Sequence, residues 1–566
     1  MRPFLQIRRK VTFFSFRARY TFLLLSLPAV LSASAHYGGT LITSIASPPK
    51  SFNPIIAKET STTTVTGYIF EGLTKLDPHT LKIKPNLAVS WRTDASGRIW
   101  TFSLRTDVRW NDGVPFTADD VLFTFNRLIF NPSIPTSSRD IFTIQGKTPR
   151  VEKINSHTVR ITLPSRFAPF LMLMSQDILP AHLLQSEVSK NRFTFSLGLN
   201  SRPADIVGTG PFMLENFRPG EYLILKKNPY YWKKSSQGNS LPYLDRLILI
   251  ITPDQNLALL KLKKGELDLL PLRAQDYLVL RKSPPDKIRF FNAGPSLGSD
   301  FIILNQNLDS PVSSYKLAWF RNPRFRKAIA FALDRHAIIK NVYAGYGYPL
   351  DGPVSKSAVS FYNRKIKEYP YDLERAKKSL REGGFFWKNR LLYDKKGNQV
   401  SFSLLTNSNN SERIQIANFI RSDLEKIGMK INFLPVDFNS LVNRIDATKD
   451  WEAVMIGLSG GIDPHSGKNV WMTTGQLHMW NPGSPRSCYP WEYEIDRIFD
   501  TAAQELNPVK RKELYDRWQE IVQKELPMIF TVTPAVLYAY HTKLGNIEPT
   551  VYGGLLHNVE ELYLKK

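Results

Sequence analysis

The side chains able to carry out acid–base or metal chemistry are dispersed along this chain. Its nine histidines contain no His-Glu-x-x-His pair, and no Gly-x-x-x-x-Gly-Lys-Ser/Thr phosphate loop is present. His465 and His478 stand thirteen residues apart, which is not a metal-ligand spacing. The adjacent acids Asp119-Asp120 and Glu560-Glu561 read as a helix start and a solvated tail rather than an acid–base pair. Cys488 is the single cysteine, so neither an internal disulfide nor a thiolate metal site can form. No catalytic residue, metal or cofactor is expected. Recognition is the chemistry that remains, and the stretch suited to it is Gly457-Leu-Ser-Gly-Gly-Ile-Asp-Pro464. Glycines there let a ligand approach main chain. Ser459, Gly460, Gly461 and Asp463 are candidate ligand contacts, and Trp451, Trp471 and Trp480 are candidate walls. A tight turn that needs glycine only for its own packing is the alternative.

That loop has to be held by a sheet. Trp451 to Ile456 reads as a buried strand that opens into it, and in an open α/β sheet ligands sit beyond the carboxyl ends of strands. Upstream, Ser401 to Leu405, a helix bearing Ile416, Ile420, Leu424 and Ile427, and Lys430 to Leu434 form a parallel strand–helix–strand unit with no dinucleotide fingerprint. Leu247 to Ile251, a leucine-rich helix stopped at Gly265, and Leu267 to Leu270 predict another such crossover. Pro219-Gly220 joins Phe212–Phe217 and Tyr222–Lys227 in a hairpin, which Gly208 and Gly210 introduce by supplying backbone angles other residues avoid. Thr117 with Asp120 predicts a helix start. Phe167, Phe170, Met172 and Met174 read as core.

With 566 residues the chain should divide into two or three domains, and its apolar fraction of 42% is that of a soluble globular protein. The basic residues Arg2 to Arg19, the apolar stretch Tyr20 to Leu31 and Ala33-Ser34-Ala35 predict a secretory signal peptide cleaved after Ala35. No cysteine follows that could carry a lipid. The leader holds six of the basic residues and no acid, so a net charge of +25 becomes +19. These charges are scattered, and nucleic acid is not an expected partner.

The run Val207 to Trp232, Val-Gly-Thr-Gly-Pro-Phe followed by Arg-Pro-Gly-Glu and Lys-Asn-Pro-Tyr-Tyr-Trp, resembles the segment that marks family 5 of the extracellular solute-binding proteins, the oligopeptide and dipeptide receptors of ABC importers. Trp110-Asn-Asp-Gly-Val-Pro-Phe-Thr-Ala-Asp-Asp-Val121, the block Asn322 to Gly347 and the block Trp451 to Trp480 are similar to the same family. The resemblance implies an α/β fold of two lobes, the type II periplasmic-binding-protein fold, with an extra subdomain on the first lobe. By that likeness lobe I takes residues 36–84, 206–299 and 530–566, the extra subdomain 85–205 and lobe II 300–529, with crossings near 300 and 530. The opening segment, with Asn53, Thr62 and Tyr68, would supply one wall of the cleft.

The same resemblance implies a monomeric periplasmic receptor that closes on a peptide and delivers it to a membrane permease and its ATPase. Family members that bind a free peptide N-terminus place an aspartate four residues before the proline of the loop. Here that position is Gly460, and Asp463 is the only acid that could substitute. Peptides held mid-chain or blocked fit this departure, as do oligosaccharides and metal chelates. A secreted hydrolase and a periplasmic sensor or chaperone are readings of another class, separable by turnover and by dependence on a permease.

Overall fold

A computed structural model describes residues 35–57, 59–483 and 488–565. Most of the expected leader, residues 1–34, lies outside them, and Ala35 pairs with Lys565.

Several sheets build the first lobe. Strands Thr40–Ile45, Arg246–Ile251, Tyr222–Lys227 and Phe212–Arg218 lie side by side in that order, the first pair parallel and the others antiparallel. Pro219-Gly220 turns the hairpin, and Gly220 adopts a left-handed φ of 78°. Gly208 and Gly210 serve a different purpose from the one expected. Neither has a positive φ, but a Cβ at Gly208 would stand 1.9 Å from the carbonyl oxygen of Ile69, and one at Gly210 would stand 2.7 Å from it. They let this segment lie directly against the Tyr68–Ile69 main chain, where Gly210 N–H donates to Ile69 O. A second antiparallel sheet, Ala88–Thr93, Ile99–Leu104, Thr158–Thr162 and Arg150–Asn155, is covered by the helix that Thr117 and Asp120 start with a reciprocal capping box. Phe167, Phe170 and Met174 are buried in the core shared by both sheets.

The main sheet of the second lobe has five strands in the order Lys430–Val436, Ser401–Asn407, Ala453–Leu458, Ser299–Leu304, Met528–Phe530. Its first two strands are parallel and joined by the helix Ser411–Glu425, as the pattern predicts. The other expected crossover does not form. Leu269–Pro271 pairs antiparallel with Tyr538–Tyr540, and its neighbour Asp268 bonds Ile42 of the first sheet by both backbone and side chain. The leucine-rich helix therefore bridges two sheets instead of returning to one.

The long strand Val532–His541 pairs with Leu269–Pro271 on one side and with Ile288–Pro295 on the other. The chain passes between the lobes twice: at Ser296–Gly298, between Ile288–Pro295 and Ser299–Leu304, and at Thr531, between Met528–Phe530 and Val532–His541. Thr533 Oγ1 donates to the Gly298 carbonyl at 2.9 Å, which ties the two passages together. Among the described residues no helix is long and apolar enough to cross a membrane.

Candidate functional site between the lobes

The strand Ala453–Leu458 ends level with Ser299, and the glycine loop then runs over the lobe passage. A Cβ on Gly460 would stand 1.7 Å from the Leu297 carbonyl oxygen, and one on Gly461 would stand 2.4 Å from Ser466 Oγ. Gly460 is demanded by the loop's own packing, because the atom it meets is main chain, whereas at Gly461 the neighbour is a serine hydroxyl that can rotate. The other side of their main chain is open: Ser459, Gly460 and Gly461 are exposed, and among the described residues no backbone hydrogen bond holds Gly460, Gly461 or Ile462.

This loop lines a cavity of about 300 Å³. Thr60 and Thr63 face it from the first lobe, Ser137 from the extra subdomain, and Ser299 and Ser355 from the second lobe. A further cavity of about 260 Å³ is lined by Pro78, Ser357, Thr550 and Tyr552. Leu297 and Ile462 line both, so the two spaces adjoin along the cleft.

Asp463 borders the cavity but its charge is compensated. Arg511 donates to both carboxylate oxygens, at 2.6 and 2.8 Å, and the same carboxylate accepts from His465 N–H to cap the short turn Pro464–Gly467. The expected substitution of Asp463 for a terminal aspartate is therefore corrected: a guanidinium already occupies it. Nor would an aspartate fit at Gly460, where its Cβ would meet the Leu297 main chain.

The same turn grips the extra subdomain. His465 Nε2 lies 3.0 Å from the Ile141 carbonyl oxygen, Lys468 Nζ donates to Thr143 O at 2.7 Å, and Ala168 N–H donates to Ala503 O. Burial pulls the His465 imidazole down to about 4, so it is neutral at pH 7, and burial also lowers Lys468.

The remaining sequence candidates fall in different places. Trp471 lines the cavity and packs edge-on against Trp518, 5.0 Å between centroids. Trp480 does not: it is fully buried, donating Nε1–H to Glu492 at 2.7 Å beside His478. Trp451 is likewise core. Asn53 is buried, where it donates to Phe193 O and Ser196 O and accepts from Ile55 N–H, so it fixes a turn. Thr62 is buried as well, accepting from Lys50 N–H and donating to Glu59. Tyr68 lines a separate chamber inside the first lobe.

Ile462 falls within the glycine loop and Thr60 and Thr63 within the opening segment expected to form a cleft wall, whereas sequence reasoning passed over Glu59, Ser137 and Ser355, isolated polar residues that only the tertiary fold brings together. Two stretches also have the Gly-x-Ser-x-Gly spacing, Gly294 to Gly298 and Gly457 to Gly461. Ser296 Oγ accepts from Gly298 N–H, and among the described residues no histidine lines the cavity that Ser459 borders. Among the described residues no group of three or more His, Cys, Asp or Glu could hold a metal.

The profile of bacterial extracellular solute-binding proteins, family 5 Middle, matches residues 82–478. The chain belongs to this family. A probable ABC transporter-binding protein of Deinococcus radiodurans is 30% identical to this solute-binding protein over 528 residues, 87% of this chain and 86% of the relative. The oligopeptide-binding protein AppA of Bacillus subtilis, solved with a nonapeptide, superposes with a TM-score of 0.78 at 24% identity and covers 94% of this chain and all of its own. The periplasmic binding protein MelB of Agrobacterium fabrum, solved with stachyose, superposes at 0.81 with 22% identity, over 94% and 85%. The two-lobed type II fold of this solute-binding protein is thereby established.

Proposed function

We propose that this protein captures peptides in the cleft between its lobes and delivers them to a membrane permease driven by an ATPase, working as a periplasmic monomer and releasing its ligand chemically unchanged. Lobe I comprises residues 36–84, 206–298 and 531–566 with the extra subdomain 85–205, and lobe II comprises 299–530, one residue wider at each crossing than the sequence suggests because Ser299 and Phe530 pair within the second-lobe sheet. The observation that carries this reading is the open main chain of Gly460, Gly461 and Ile462 at the rim of a cavity lined by hydroxyl groups. Unpaired N–H and C=O groups in an extended loop suit an extended peptide, whose own main chain completes the bonds as in strand addition. Serine and threonine hydroxyls donate or accept, so they serve amides of any sequence. The adjoining cavities, about 300 and 260 Å³, have the size of small-ligand sites. The nonapeptide in AppA supports the class of ligand.

Because Asp463 is paired with Arg511 and Gly460 has no side chain, the glycine loop reads a peptide by its main chain and not by a terminal ammonium. Native mass spectrometry of the protein purified without denaturation tests this: co-purified peptides of mixed sequence are expected, and a protein that holds only sugars would overturn it.

A further inference from the structure

The walls of the interlobe cavity differ in kind. The first lobe and the glycine loop offer hydroxyl groups and open main chain, whereas the deeper second-lobe wall is apolar and aromatic. Trp471, Trp518, Met528 and Phe530 belong to one buried cluster of the second lobe, Leu477 packs against it, and all five line the cavity. The helices Lys468–Trp471 and Pro508–Glu525 carry the two indoles, which meet edge-on.

Polar groups stand in that wall without a partner. Trp518 is 2% exposed, and its Nε1–H has no hydrogen-bond partner among the described residues. Trp471 and Asn469 both line the cavity and are each 6% exposed, and neither side chain has a hydrogen bond among the described residues. The pyrrole edge of Trp471 lies beside Gly467, itself a lining residue: a Cβ there would stand 3.5 Å from Trp471 Nε1. The neighbouring Trp480 differs, because Glu492 receives its indole N–H at 2.7 Å. Buried polar groups are normally paired, so those left over at the wall of a binding cavity mark where a ligand group completes the bond. An indole N–H donates and never accepts, so that group must present an acceptor, whereas the Asn469 carboxamide can do either. The basic groups flanking this wall are committed elsewhere, Arg511 to Asp463 and Lys468 to Thr143 O, so a carboxylate would meet no counter-charge from them.

We infer that Trp518, Trp471 and Asn469 form a specificity subsite for an aromatic side chain that ends in a hydroxyl group, the tyrosine of a peptide whose main chain the glycine loop holds. A phenol oxygen accepts from an indole N–H and donates to a carboxamide oxygen, while its ring is buried against apolar neighbours such as Leu477 and Phe530. The assignment rests on the peptide reading of the cleft and adds a side-chain preference to it.

The test is calorimetric titration with alanine pentapeptides in which tyrosine or phenylalanine replaces each residue in turn, on the wild type, Trp518→Phe and Trp471→Phe. The all-alanine peptide reads the cleft without the subsite. Both substitutions keep an aromatic ring in the wall and remove an N–H; should either fold poorly, the comparison of tyrosine with phenylalanine on the wild type still decides. At one position tyrosine should bind the wild type about fivefold tighter than phenylalanine, the worth of one hydrogen bond. Trp518→Phe or Trp471→Phe should bring that ratio close to one. Peptide binding with no tyrosine preference at any position, or a preference that survives both substitutions, overturns the subsite and leaves the peptide reading in place. Binding of none of the peptides overturns that reading and the subsite with it.

Discussion

Arg511 grips Asp463 with two hydrogen bonds, 2.6 and 2.8 Å, at the border of the interlobe cavity. This ion pair removes the only acid of the loop from ligand chemistry and makes it structural. Asp463 simultaneously caps the turn that carries His465 and Lys468 to the extra subdomain. Arg511→Met strands a buried carboxylate and should cost about 3 kcal/mol, read as a lower midpoint in urea. A midpoint equal to wild type would show that the pair carries no structural weight.

Gly460 admits no side chain. Placing the aspartate of free-N-terminus receptors there, Gly460→Asp, should not create an ammonium site. It should displace Leu297 from the lobe passage, lowering both thermal stability and peptide affinity, because the clash is with main chain that cannot rotate away. A variant of normal stability with a new preference for unblocked peptides would refute the packing argument.

His465 gives closure a pH dependence. An unfolded histidine takes a proton below about pH 6.5, the buried one only below about 4. Stability is therefore unaffected above 6.5 and falls as the pH drops toward 4, by about 3 kcal/mol at most. Asp463 favours the proton, whereas Lys468 and Arg511 oppose it, and the Ile141 carbonyl and the Phe167 ring close the site from the extra subdomain. Separating the lobes would hydrate the imidazole, so small-angle scattering should show a larger radius at pH 4.5 than at pH 7.5, with His465→Asn muting the change.

Asp177, which stands beside Glu71 on the wall of the first-lobe chamber, has the opposite sign. The Asp177 carboxyl is raised to about 7 in the folded protein, so folding is penalised as the pH climbs from about 4 to 7 and the penalty is complete above that. Asp177→Asn carries no such penalty. Its melting temperature should exceed that of wild type at pH 8 and match it near pH 4. Equal temperatures at both values would mean that the carboxyl is well solvated.

The second-lobe crossover, the Pro219-Gly220 hairpin and the Thr117 capping box were legible because each depends on residues near in sequence, where periodicity and turn chemistry act. The failed crossover at Leu269 shows the limit: a short apolar strand pairs wherever an edge is free, and Asp268 fastens it to Ile42, more than two hundred residues away. Site residues divide in the same way. The glycine loop was readable as a loop with an open side. That Trp480 is core and Trp471 is lining depends on Glu492 receiving the Trp480 indole. Arg511, forty-eight residues from Asp463, carries no local mark of its role.

The central claim is that Gly460, Gly461 and Ile462 hold a peptide by its main chain. Calorimetry with one peptide in three forms, free, N-acetylated, and with a central amide replaced by an ester, addresses it directly. The free and acetylated forms should bind alike, and the ester should bind about tenfold weaker for the loss of one N–H donor. A ligand that binds only with a free ammonium, or an ester that binds as well as the amide, would contradict it.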